Sequence, residues 1–194
     1  MNVLELRQYT LHPGRRDDLI ELFDREFVET QEAWNMAILG QFRDLDKPDR
    51  FVWLRGYSDM RARHDGLTGF YSGPDWKAHS AKANETMIDS DDVLLLRPVG
   101  DGFPPPGPRG DLGEAQPVVV TICRQDAPFT DTFAAQFTGA MACYTTLDEP
   151  NTFPGLPVRT DAFAFVAFGR EPFAVTGFQP EYLRLAPTAR SWLR

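Results

Sequence analysis

Hydrophobic and polar positions alternate at the start of the chain. Over residues 3–10, Leu4 and Leu6 fall on one side of an extended segment and Glu5, Arg7 and Tyr9 on the other, so a strand with one oily and one mixed face is predicted. His12-Pro13-Gly14 breaks it. From Arg15 the period changes. Leu19, Phe23 and Phe27 recur every four residues, with Ile20 broadening the stripe, as in an amphipathic helix lying on a sheet. Residues 36–42 and 51–57 read as two strands of an antiparallel hairpin around a polar, proline-containing loop at 44–49. Ser58 then stands at an N-cap position, with Met60, His64, Leu67 and Tyr71 as the apolar stripe of a second helix. Ser72-Gly73-Pro74 interrupts that helix, and Trp76, Ser80, Ala83 and Met87 resume it, so it is kinked or in two pieces. A mostly apolar strand at 92–98 completes the order β-α-β-β-α-β, the ferredoxin-like plan.

Residues 99–116 carry Pro104-Pro105-Pro106-Gly107-Pro108 and read as a stiff linker; docking of the proline run in an aromatic groove is the alternative. The plan then restarts. Residues 117–124 form a β-branched strand, and Phe129, Phe133 and Phe137 repeat the four-residue helix stripe. Residues 140–147, 162–168 and 181–187 supply further strands. The last keeps the leading acid, the alternating leucines and the final proline of residues 92–98 at the same offsets, which supports an internal duplication. About 34 residues separate the third and fourth strands of the first unit, but only about 12 do so in the second. A crossover containing a helix needs at least ~10–12 residues, so the second unit has lost most of its second helix. The expected organisation is a unit at 1–98, a linker at 99–116 and a truncated unit at 117–194.

Composition narrows the function classes. With 42% hydrophobic and 25% charged residues the chain is globular, and 20 basic against 28 acidic residues give a net charge of −8. Such a surface disfavours nucleic acid and anionic membranes. No basic-then-apolar leader and no apolar run of about 18 residues is present, which leads to the expectation of a soluble, cytoplasmic protein. Cys123 and Cys143 fall on strands that this topology keeps apart, so both are expected to be reduced and unpaired. His12, His64 and His79 are scattered, and no metal site is expected. Gly-rich nucleotide loops and the nucleophile elbow are absent.

Glu5-Leu6-Arg7-Gln8-Tyr9-Thr10-Leu11 followed by Pro13-Gly14, then Phe51-Val52-Trp53-Leu54 running into Ser58 and an arginine-containing helix, then Asp75-Trp76, resembles the NIPSNAP family of the dimeric α/β-barrel superfamily over about residues 2–98. The resemblance implies an α+β fold in which tandem ferredoxin-like units, the second degenerate, close their sheets face to face into a barrel. The wider superfamily includes cofactor-free monooxygenases, haem-binding proteins and dehydratases, so the fold does not settle an activity.

The best candidate constellation is Glu5, Arg7 and Tyr9 on one strand with Trp53, Arg55 and Tyr57 on another. Leu4, Leu6, Val52 and Leu54 suit a helix-covered side, which would turn the constellation towards the second sheet. There Tyr9, Trp53, Arg55 and Tyr57 would bind a small apolar or aromatic ligand between the sheets, while Glu5 acts as base and an arginine neutralises an anionic oxygen. In the plainer alternative Glu5 pairs with an arginine and plugs the barrel. His79, near Trp76, is the third catalytic candidate beside Glu5 and Arg7; His64 on its helix stripe and His12 in a loop are weaker. Three functions stay open: a cofactor-free oxygenase or lyase-like enzyme, a haem or ligand carrier, and a non-catalytic assembly protein with a filled barrel. No cofactor is required by the first or third. A homodimer also stays open, because tandem units can close a barrel within one chain or between two.

Overall fold

The eight predicted strands form, and their pairing closes on itself. In a computed structural model, which describes residues 1–110 and 112–194, the strands are Val3–Leu11 (β1), Ala37–Asp44 (β2), Arg50–Tyr57 (β3), Met87–Val99 (β4), Val118–Gln125 (β5), Ala142–Thr146 (β6), Phe163–Gly169 (β7) and Glu181–Pro187 (β8). They make a closed barrel in the order β1-β3-β2-β8-β5-β7-β6-β4. Each half keeps the ferredoxin-like arrangement, its fourth, first, third and second strands side by side. The halves join through antiparallel β2–β8 and β4–β6 pairs. Closure occurs within the single chain, and among the described residues each strand of the barrel has a neighbour on both sides. The fold is thus α+β, with tandem ferredoxin-like halves forming an α/β barrel of the dimeric type.

The first predicted helix is a continuous helical run with a wide turn inside it: α1 (Arg16–Leu22), a π-helical turn at Phe23–Phe27, and α2 (Val28–Glu32). The second is in two pieces, α3 (Met60–Ser72) and α4 (Pro74–Asn84). Gly73 is extended, and Pro74 opens α4 where its missing N–H costs nothing. Three expectations are corrected here. Asp59 rather than Ser58 caps α3, its carboxylate accepting from the Ala62 N–H at 2.8 Å. Met87 already belongs to β4 and not to the helix stripe. The buried stripe of α3 is Met60, Arg63, Leu67 and Phe70, while His64 is half exposed. Gly66 makes the close approach of α3 possible, since a Cβ there would lie 2.9 Å from the Trp34 carbonyl oxygen.

The second half is leaner. Phe129, Phe133 and Phe137 do not stripe an α-helix; only a 3₁₀ turn forms at Asp131–Gln136. Pro128 and Gly139, the latter at φ +82°, bracket the segment. The rings are core all the same. Phe133 meets Phe165 edge-on at 5.0 Å and Phe137 stacks on Phe165 at 5.1 Å, beside buried Cys123 and Cys143. Residues 170–180 carry no helix, as the short crossover predicts. Asp111, within the expected linker 99–116, lies outside the described residues. Two residues tie that segment to the barrel: Phe103 is buried in its core, and Arg109 donates to the carbonyls of Ile38 and Arg190 and pairs with Glu32.

The core lies in two layers, and their assignment reverses an expectation. Leu4, Leu6, Val52 and Leu54 point into the barrel, where with Leu94, Leu96, Val120, Val166, Phe168 and Leu185 they fill the space between the two half-sheets. Tyr9, Trp53 and Tyr57 lie instead beneath α1–α4, among Phe23, Phe27, Leu67 and Phe70. The alternation was read correctly but its sides were exchanged. Both faces of the first half-sheet are covered, and its aliphatic face turns inward, where it meets mainly the inward side chains of the other strands. No helix among the described residues is long and apolar enough to cross a membrane.

Candidate functional site

Strand register assembles the constellation. Glu5 on β1 stands opposite Arg55 on β3, and Arg7 opposite Trp53. All four turn to the helix side. The Glu5 carboxylate is saturated: Oε2 accepts from Arg7 Nη1 at 3.0 Å and from Arg55 Nη2 at 2.7 Å, and Oε1 accepts from Arg63 Nε at 2.7 Å. The three arginines reach on to neutral groups. Arg7 Nε donates to the Tyr9 hydroxyl at 3.0 Å, Arg55 Nη1 to Gln31 Oε1 at 2.8 Å, and Arg63 Nη1 to Asn151 Oδ1 at 2.9 Å. Gln31 is held in turn by donating to the Phe27 carbonyl of the π turn at 2.7 Å. Aromatic faces complete the shell: Arg7 lies over Tyr9 and Trp53 at 5.5 and 5.4 Å, and Arg55 over Trp53 and Tyr57 at 4.8 and 5.8 Å.

Glu5 and its three arginines are at most 1% exposed, so these charges interact with little screening. Burial alone would push the Glu5 carboxyl up; the guanidiniums of Arg55, Arg7 and Arg63 outweigh it and hold it far below the ordinary carboxylate range. A carboxylate so placed is a counter-ion. Its affinity for a proton is too low, and both oxygens are occupied, for the general-base role expected of it. Burial pushes the Tyr57 phenol well up, so it stays neutral.

Against this cluster lies a narrow cleft with an inner volume of about 30 Å³, lined by Tyr9, Leu19, Phe23, Phe27, Gln31, Trp53, Phe70, Tyr71, Trp76 and Met87. Tyr71, Trp76 and Met87 are its partly exposed members and lie by the α3–α4 joint and the start of β4. Tyr71 also stacks on Phe153 at 5.9 Å, in the loop of the second half that supplies Asn151. Several buried polar atoms on this side have no hydrogen-bond partner: Trp53 Nε1, Tyr57 Oη, Arg63 Nη2 and the side-chain amide of Gln41, which stands opposite Trp53. Buried polar groups of this kind normally meet water or a ligand.

The sequence-derived candidates divide. Glu5, Arg7, Tyr9, Trp53, Arg55 and Tyr57 do come together, on the helix side and not between the sheets. His79 stays apart: its ring rests on Phe27, with Nε2 3.5 Å from Glu26 Oε2, and it does not line the cleft. His64 and His12 are exposed. Arg63, Gln31 and Asn151 were missed. Arg63 was legible, lying three residues after Met60 and four before Leu67 on the buried stripe; Asn151 was not, because it arrives from the other half. A haem does not fit this cleft, whose inner volume is far too small for a porphyrin and whose lining holds no histidine. Among the described residues no group of His, Cys, Asp and Glu is placed to hold a metal ion.

Fold and site together define a dimeric-type α/β barrel with its helix-side cluster in the first half. Solved structures agree over the whole chain: a protein of Lactobacillus acidophilus NCFM with a provisional monooxygenase name is similar at TM-score 0.57 and 11% identity, covering 96% of this chain and 94% of that one. A similarly named protein of Fusobacterium nucleatum gives TM-score 0.57 at 8% identity, covering 95% and 91%. The sequence profile of the NIPSNAP family matches residues 4–101, about half of the chain, and the protein belongs to that family. An uncharacterized NIPSNAP-like domain protein of Burkholderia xenovorans is 24% identical over 54% of this chain and 90% of its own, with TM-score 0.49. No curated protein matches the sequence.

Proposed function

We propose that this NIPSNAP protein binds a small, flat, largely apolar molecule in the cleft between the first-half helices and the sheet. The observation that carries this reading is Trp53, which lines an aromatic cavity and whose indole N–H is buried and without an acceptor. An apolar cleft with a few convergent polar groups is the usual form of a small-molecule site. The inner space is water-sized, so a ligand with an aromatic ring enters by displacing Tyr71 and Trp76 at the α3–α4 joint. Binding rather than acid–base catalysis is the reading favoured, because Glu5 is committed to three arginines. An oxygenase activity, the class suggested by the names of two structural neighbours, or a lyase-like one would draw on the cleft for positioning and not on Glu5 for proton transfer. In the same reading, residues 1–98 and 117–194 are duplicated units of which the first keeps the site. The test is a fragment screen by NMR on the intact chain. Aromatic fragments should shift the Trp53 indole N–H resonance, and Trp76→Ala should tighten their binding. A screen in which no fragment moves that resonance in either protein would sink the proposal.

A further inference from the structure

The cluster behind the cleft carries more positive charge than the chain neutralises. One carboxylate, Glu5, serves three guanidiniums, those of Arg7, Arg55 and Arg63, which leaves two positive charges in excess. Their other contacts are with neutral groups: the Tyr9 hydroxyl, the side-chain carbonyls of Gln31 and Asn151, and the faces of Tyr9, Trp53 and Tyr57. No second carboxylate among the described residues pairs with any of the three. A buried cation is stable only when compensated, and hydrogen bonds to neutral acceptors and ring faces do so in part.

Three features say where the missing negative charge belongs. Tyr9, Gln31 and Trp53 of the cleft lining are the same side chains that touch Arg7 and Arg55, so anything against them is one side chain from two guanidiniums. Trp53 of that wall carries an indole N–H that is buried and has no acceptor. Arg63 Nη2 in the same cluster is also an unsatisfied donor. Donors without acceptors beside excess positive charge select an anion. The opposite lining of Phe23, Phe27 and Phe70 selects an apolar body. A phosphate-like group asks for a cradle of many converging donors, whereas one indole N–H on the wall of a narrow aromatic cleft suits a planar head.

We infer that the ligand is a small organic carboxylate with a flat apolar body, its carboxylate turned to the Tyr9–Gln31–Trp53 wall and its body among the phenylalanines. This rests on the cleft being a ligand site, as proposed above.

The test compares benzoate with benzamide, which match in size and shape and differ in charge, by calorimetry at pH 7 on the intact chain. The indole N–H resonances are followed in parallel, with that of Trp53 assigned by its loss in Trp53→Phe. Benzoate should bind at least tenfold more tightly than benzamide and should shift the Trp53 resonance, and Trp53→Phe should remove most of that preference. Equal affinities would overturn the charge assignment while leaving the cleft as a ligand site. Chloride competing as well as benzoate would overturn the organic part, because a simple anion would then suffice. Benzoate binding that leaves the Trp53 resonance unmoved would place the anion elsewhere and overturn the inference. If neither probe binds the native protein or the Trp76→Ala variant with its widened mouth, the cleft reading falls, and this inference with it. If Trp53→Phe folds poorly, the Trp53 resonance is assigned by elimination from Trp34→Phe, Trp76→Phe and Trp192→Phe, and the shift is still read on the native protein.

Discussion

Glu5 is the residue on which the helix-side cluster turns, because three buried guanidiniums share its one negative charge. Glu5→Gln should therefore cost about 3–5 kcal/mol at neutral pH, the usual penalty for stranding buried charge. Arg7→Met leaves Glu5 paired with Arg55 and Arg63 and relieves part of the positive excess, so it should cost less, about 1–3 kcal/mol. Urea unfolding of the two variants checks the order, and an equal or reversed cost would mean that Glu5 is not the shared counter-ion. The pH dependence has a definite sign. The folded carboxyl sits below its ordinary value of 4.5, so its stabilisation is complete above that value and is lost as pH falls. The gap between the native protein and Glu5→Gln should be flat from about pH 6 upward and shrink by up to about 1.4 kcal/mol per pH unit below about 4.5. The identity of this cluster was legible residue by residue, since Glu5, Arg7, Trp53 and Arg55 stood out as mixed positions on alternating strands. Arg63 stood on the same helix stripe as Met60 and Leu67, but an arginine there is ordinarily solvent-facing, and only the buried carboxylate it meets makes its burial tolerable.

At the scale of elements, period decided more than composition. Period-2 alternation located the first strand, short apolar and β-branched runs between turn residues located the others, and the four-residue repeat of Leu19, Phe23 and Phe27 located the first helix. The same repeat failed at Phe129–Phe137, where a bracketed short segment satisfies its ring contacts with a 3₁₀ turn. The π turn at Phe23–Phe27 has no sequence signature, yet it places Phe23 and Phe27 on the cleft and its Phe27 carbonyl on Gln31. Wide turns of this kind recur at functional sites. The approach of α3 to the turn at Trp34 gives a sharper test. Gly66→Ala sets a methyl 2.9 Å from a backbone oxygen that has no freedom to swing away. Although alanine favours a helix by ~1 kcal/mol over glycine, the variant should be about 1–3 kcal/mol less stable in a thermal or urea melt. A stabilised Gly66→Ala protein would show that α3 can ride away from the turn at no cost, and that the depth at which it holds Arg63 is not fixed by this contact.

For the whole molecule, closure of the barrel is the central fact, and it makes the halves interdependent. Residues 1–101 expressed alone would leave Leu4, Leu6, Val52, Leu54, Leu94 and Leu96 facing water, so the fragment should self-associate or precipitate where the full chain does not. Light scattering on both checks this, and a stable monomeric fragment would contradict it. The same topology sets β7 between the two cysteine-bearing strands, Cys123 pairing with Phe165 and Cys143 with Ala167. Burial also pushes both thiols up to about 11. Both should resist a thiol reagent at pH 8 in the native protein and react once it is denatured without reductant; a protected pair after denaturation would contradict the strand order. The amino-acid sequence by itself determined the strands, the broken second helix, the shortened second half and the pairing of faces, because these follow from local period and from breakers such as Pro74 and Gly73. Only the tertiary structure decided which face looks inward, that Asn151 from one half meets Arg63 from the other, and that two positive charges are left over beside a cleft. Those depend on what each covered face is covered by, and a strand buried on both sides carries no local mark of which partner it will meet.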